Sequence, residues 1–177
     1  MKILVFGTST SRNSINKKIA IFTSKQFNSS SLETIDLNDY QLPIYSIDLE
    51  KEKGIPQLVK DLQSKVNEAE LIVFGLAEHN GTYTTAFKNA LDWMSRLQTN
   101  TFEKKKIVLV STSPGGRGGK GVMEAALARF PIHGAIILGN FSLPKFQDNF
   151  DENKGILDQD LEISFNKFIE KSKQALV

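Results

Sequence analysis

The chain has 177 residues, 40% hydrophobic and 24% charged, which fits one soluble domain spanning 1–177 with room for a sizeable core. Its net charge is +2, with acids and bases interleaved rather than clustered, which argues against a dedicated nucleic-acid surface. Cysteine is absent, which excludes disulfides, thiol nucleophiles and thiolate metal sites; His79 and His133 lie far apart without metal-ligand spacing, so no metal is expected.

From the start, Ile3 to Phe6 is a short apolar run closed by Gly7, too short for a signal-peptide core. No apolar run approaches membrane-spanning length, so a cytoplasmic chain with no membrane contact is expected. Helical spacing follows over Ile15–Phe27, and then a weaker strand over Leu32–Leu37, where Ile35 and Leu37 alternate with polar residues. Asn38–Gly54 reads as irregular. Ile55–Ala69 is helical in spacing, with Ile55, Leu58, Val59, Leu62 and Val66 on one face.

Leu71–Phe74 is the next buried strand, closed by Gly75, and Thr85–Leu97 the next helix, with Trp93 and Met94 read as core or subunit contact. Lys104 to Lys106 reads as a solvated lead-in to the strand Ile107–Val110. A helix over Gly119–Phe130 precedes the strand Ala135–Leu138, closed by Gly139. Asn140–Gly155 reads as irregular, and Leu157–Ala175 as the last helix. Apart from Leu32–Leu37, the runs are short, branched and apolar on both faces, as in strands covered on both sides. Such alternation predicts a three-layer α/β fold: a five-stranded parallel sheet in order 2-1-3-4-5 with helices on both faces.

In such a sheet, ligands bind beyond the carboxyl ends of the strands, at the switch point between strands 1 and 3. Three loops leave those ends. The first, Gly7 to Asn16, offers hydroxyls at Ser9, Ser11 and Ser14, the amide of Asn16, and the N–H groups of a helix start at Ile15. Free N–H donors at the positive end of a helix suit a phosphate. The loop lacks the glycines and lysine of the common nucleotide motifs, and simple capping by Ser14 would also account for it.

The second loop carries Glu78, His79, Asn80, Gly81 and Thr82; Gly81 would let main chain approach a flat ring, and His79 and Asn80 could contact its edge. A plain surface-loop histidine is the alternative. The third runs Ser113, Pro114, Gly115, Gly116, Arg117, Gly118 and Gly119. Its glycines suit either a backbone that closely approaches a ligand or a flexible connection, and Arg117 could stack on a ring or meet a phosphate. A flat phosphorylated ring such as FMN would satisfy all three loops.

At these loops, and in Phe87-Lys88-Asn89-Ala90-Leu91-Asp92-Trp93, the chain resembles the NADPH-dependent FMN reductase family of flavodoxin-like flavoproteins, from Lys2 to about Leu157. Ser9, Ser14 and Asn16 fall on that family's phosphate-loop positions, Glu78 and Asn80 on its second loop, and Ser113 and Gly115 to Gly119 on its third. The departures are Thr8 for a usual glycine, Ser11 for a usual arginine (with Arg12 displaced by one), Ala77 for proline and His79 for tyrosine.

The resemblance implies FMN as cofactor, NADPH or NADH as co-substrate, hydride entry at flavin N5, a small-molecule electron acceptor (flavin, quinone, azo compound or metal oxyanion), and a homodimer or homotetramer. Ser9, Ser11, Ser14, Ile15 and Asn16 are then expected at the phosphate, and Glu78 to Thr82 and Ser113 to Gly118 around the ring. No side chain is assigned as catalytic, since the flavin carries the chemistry; His79 is the candidate ring-side modulator. The alternatives are a flavodoxin-like electron carrier, which the charge of +2 disfavours, and a flavin-binding sensor.

Overall fold

In a computed structural model describing residues 1–176, the first apolar run forms β1 (Lys2–Gly7), with Ile3 to Phe6 buried. It leads to α1 (Ile15–Ser24), β2 (Ser31–Ile35), a 3-10 turn at Leu37–Asp39, α2 (Ile47–Lys53) and α3 (Gln57–Glu68). β3 (Leu71–Leu76) is followed by the short strands β4 (Glu78–His79) and β5 (Thr82–Tyr83), then α4 (Thr85–Leu97). β6 (Lys106–Thr112), α5 (Lys120–Arg129), a 3-10 turn at Phe130–His133 and β7 (Ile136–Leu143) follow. The chain closes with α6 (Phe146–Asn149), β8 (Phe150–Asp151), β9 (Gly155–Ile156) and α7 (Gln159–Leu176).

The main sheet is parallel throughout, in order β2-β1-β3-β6-β7, which is the expected flavodoxin-like 2-1-3-4-5. Successive side chains on a strand face opposite ways, so each central strand feeds two cores. Leu4, Phe6, Ile72, Phe74, Ile107 and Leu109 pack under α3, α4 and α5. Ile3, Val5, Leu71, Val73, Val108 and Val110 pack under α1 and α7. Phe74 anchors the first core: it stacks on Phe6 at 4.9 Å and meets Phe87, Phe102 and Phe130 at ring-edge angles.

Four expectations need correction. Asn38–Gly54 contains α2, where Ser46 accepts from Leu49 N and starts a turn too short to show periodicity. Asn140–Gly155 contains the rest of β7, α6 and β8. The fifth strand is not closed by Gly139 and is not buried on both faces; it is an edge strand running to Leu143, with Ile136 and Asn140 exposed. Gly139 is there because α7 comes close: a Cβ would lie 3.0 Å from the Phe168 ring. The lysine run is tied down: Lys105 Nζ donates to Ala69 O at 3.0 Å, and Lys106 Nζ to Leu176 O. Burial holds the Lys105 ammonium below its ordinary pKa.

Candidate functional site

The carboxyl ends of β1, β3, β6 and β7 all deliver loops to one edge of the sheet. In the first loop, Ser9 Oγ accepts from Ser11 N at 3.0 Å, and Ser14 N donates to Ser11 O at 3.1 Å. Ser14 then caps α1 by accepting from Lys17 N at 3.2 Å. The first N–H groups of a helix have no partner inside it. With Lys17 N capped, those of Ile15 and Asn16 are left without a hydrogen-bond partner among the described residues.

The Asn16 side chain does something the sequence does not show. Its Oδ1 accepts from Thr112 N at 2.7 Å and its Nδ2 donates to Thr112 O at 3.1 Å, both buried. The amide expected at a phosphate therefore joins α1 to the end of β6, leaving only the Asn16 main-chain N–H for a ligand. Lys17 is likewise engaged: it lies 2.6 Å from Asp36, and its hydrogen bond holds the Asp36 carboxyl below its ordinary pKa. Positive potential at this end of α1 then comes from the helix dipole and the exposed Arg12.

The second loop hangs from the first. Thr8 Oγ1 donates to Gly75 O at 3.1 Å and accepts from Ala77 N at 2.8 Å, and Thr84 Oγ1 donates back to Thr8 O. This gives Thr8 a reason to stand where a glycine is usual. Glu78–His79 pairs with Thr82–Tyr83 in an antiparallel hairpin. Asn80 and Gly81 form its turn with φ of 51° and 80°, as a tight two-residue hairpin requires. Asn-Gly is thus explained by the turn itself, and both residues are exposed. Tyr83 turns inward with an unpartnered hydroxyl, and burial pushes its pKa up to about 12.

The third loop is fixed at both ends. Ser111 Oγ donates to Gly118 O at 2.8 Å, Lys145 N to Gly115 O at 3.0 Å and Phe146 N to Ser113 O at 3.1 Å. Gly118 has φ of 59°, and a Cβ there would lie 2.9 Å from the Leu143 carbonyl carbon. Gly116 differs, because a Cβ on it would meet nothing within 4 Å. No packing in the protein accounts for that glycine.

Between the loops lies a cleft of about 280 Å³. Of the expected residues, Ser9, Ser11, Ser14, Ile15 and Asn16 line it from the first loop, Glu78 and His79 from the second, and Ser113 and Pro114 from the third. Asn80, Gly81, Thr82, Gly115, Gly116, Arg117 and Gly118 flank it without lining it. Asn13, Ala77, Thr112 and Gln147 also line it and were not singled out as contacts. Asn13 and Ala77 sit within motifs already noted; Gln147 had no signal, because only the unforeseen length of β7 brings α6 to this edge.

The motif Phe87–Trp93 stands apart from the cleft. Asn89 Oδ1 accepts from Tyr45 N at 2.9 Å, Asn89 Nδ2 donates to Pro43 O at 3.0 Å, and Trp93 Nε1 donates to Pro43 O at 2.8 Å. The motif fastens the segment before α2 onto α4.

The comparisons with known proteins agree with this geometry. The model of the NADPH-dependent FMN reductase family matches residues 1–148. An uncharacterised protein of Mycoplasma pneumoniae, the MG342 homolog, is 34% identical over 162 residues, 89% of this chain and 95% of that one. A quinone reductase of Escherichia coli K12 is 32% identical over 78 residues, a stretch covering 44% of this chain and 42% of that protein. Among solved structures, the NAD(P)H:(acceptor) oxidoreductase FerB of Paracoccus denitrificans superposes with a TM-score of 0.73 at 21% identity, over 98% of this chain and 97% of that one, which shows a shared fold. With its flavodoxin-like sheet and a family match over most of its length, the chain belongs to the NADPH-dependent FMN reductase family of oxidoreductases.

Proposed function

We propose that the chain binds FMN in the cleft and acts as an NAD(P)H oxidoreductase on a small acceptor such as a flavin, quinone, azo compound or metal oxyanion. The observation that carries this is the meeting of unlike donor sets at one cleft: helix-start N–H groups with serine hydroxyls on one side, and nearly side-chain-free backbone on the other. The first set fits a phosphate monoester, and the second fits the edge of a flat ring. Bound FMN supplies the redox chemistry, accepting hydride from a nicotinamide nucleotide and delivering electrons to the acceptor.

The protein's part is binding and positioning. Ile15 and Asn16 N–H with Ser9, Ser11 and Ser14 would hold the phosphate; Ser14 does so while capping α1. Ser113 to Gly118 would offer backbone donors to the pyrimidine side, where they stabilise negative charge. His79, exposed at the rim, could deliver a proton to an acceptor.

Purified protein should be yellow after FMN loading, and NADPH or NADH should bleach it within seconds in stopped-flow. If neither nucleotide bleaches bound FMN, the reductase reading fails and an electron carrier or sensor takes its place. A homodimer or homotetramer is part of the same proposal. Ile132, 65% exposed, and Leu97, 39% exposed, flank a cavity of about 420 Å³ between α4 and α5, a face suited to an isologous contact. Sedimentation equilibrium should give twice or four times the 19.7 kDa chain mass; a monomer at micromolar concentration would remove this part.

A further inference from the structure

We propose that Glu78 is a positioning residue: it locks the Glu78–Tyr83 hairpin to the first turn of α5 and so sets the glycine-rich loop Ser113–Gly119 against the cleft. Helix α5 begins without a cap of its own. Its N-cap is Gly119, which has no side chain, and its first turn holds no acidic residue. The early N–H groups of a helix need acceptors from elsewhere. Glu78 supplies one, since its Oε2 accepts from Val122 N at 2.8 Å across 44 residues of sequence. Val122 is the third residue of α5, where a capping side chain ordinarily lands, and a carboxylate there also meets the positive end of the helix dipole.

Packing at Gly121 supports the same contact. A Cβ on Gly121 would lie 2.5 Å from Gly81 O and 2.8 Å from Glu78 Oε2, so the hairpin lies directly on the helix start. The glycine-rich loop enters this helix start, and its last residues, Gly118 and Gly119, both have positive φ. Fixing the first turn of α5 therefore fixes the exit of the loop, just as the Lys145 N to Gly115 O bond fixes its middle. Glu78 also lines the cleft, so the group that joins the two loops sits between them. It acts through the loops, as an acceptor of fixed geometry.

The locking itself does not depend on the reductase reading; its effect on FMN does. The test therefore begins on protein without flavin, by hydrogen–deuterium exchange on peptides covering 77–84 and 113–123. Glu78→Ala should raise exchange in both peptides by about tenfold, the scale of losing one charge-assisted bond. Glu78→Gln keeps an acceptor oxygen and should restore wild-type exchange. Gly121→Ala keeps the carboxylate but displaces the hairpin, and should raise exchange as Glu78→Ala does. FMN affinity should follow the same order, weaker for Glu78→Ala and Gly121→Ala and near wild type for Glu78→Gln. Unchanged exchange in Glu78→Ala overturns the proposal, and so does Glu78→Gln behaving like Glu78→Ala, since charge rather than geometry would then matter. Wild-type protein that binds no FMN would refute the cofactor reading while the exchange data still decide the locking.

Discussion

Gly75→Ala should lower stability by about 3 kcal/mol, the upper part of the range for overpacking a tight interior. Gly75 lies near the end of β3, paired with Gly7 of β1 on one side and Val110 of β6 on the other. A Cβ there would overlap Asn16 O and lie 2.8 Å from the Asn16 carbonyl carbon. The obstruction is helix backbone, which cannot rotate aside as a side chain could. The start of α1 would be pushed off the sheet, and FMN retention should fall with it. Gly116→Ala is the matched control: with nothing within 4 Å of its Cβ, it should stay within about 0.5 kcal/mol of wild type. Urea unfolding of the two variants decides the matter, and equal midpoints would contradict this account of Gly75.

Asn16→Ala should cost about 2–4 kcal/mol, because it strands both polar groups of the Thr112 peptide in the interior. Asn16→Asp separates geometry from mere polarity. It can still accept from Thr112 N but turns a second oxygen toward Thr112 O, so it should rescue little or nothing. By contrast, Ser14→Ala removes a cap worth about 1 kcal/mol. Flavin retention in Ser11→Ala with Ser14→Ala therefore tests the phosphate loop more cleanly than any variant at Asn16, whose effect passes through the fold. An Asn16→Ala protein with the wild-type urea midpoint would show that the bridge to Thr112 carries no stability.

The central strands were legible because Ile3–Phe6, Leu71–Phe74 and Ile107–Val110 are buried on both faces, and burial on both faces leaves a continuous apolar run. The edge strand β7 was misjudged in length and burial because Gly139, an opening for α7, has the same letter as a terminator. The site was legible as three loops, since helix caps and clustered glycines are local signals. The partners of its side chains were not. Asn16 with Thr112 and Glu78 with Val122 are meetings of distant residues, and neither leaves a pattern in its own neighbourhood. The family-like segment Phe87–Trp93 marks the family without touching the cleft, because its conspicuous Asn and Trp hold the chain at Pro43 and Tyr45.

The Asn16–Thr112 bridge spans 96 residues of sequence and passes over β3, which lies between the two strands it serves. Closing so long a loop is entropically costly and comes late when a chain folds. During synthesis, the first helix waits for the β6 segment to emerge before its polar anchor exists. Flavin uptake in a refolding reaction would accordingly report the closing of this circuit rather than the earlier collapse of the apolar strands.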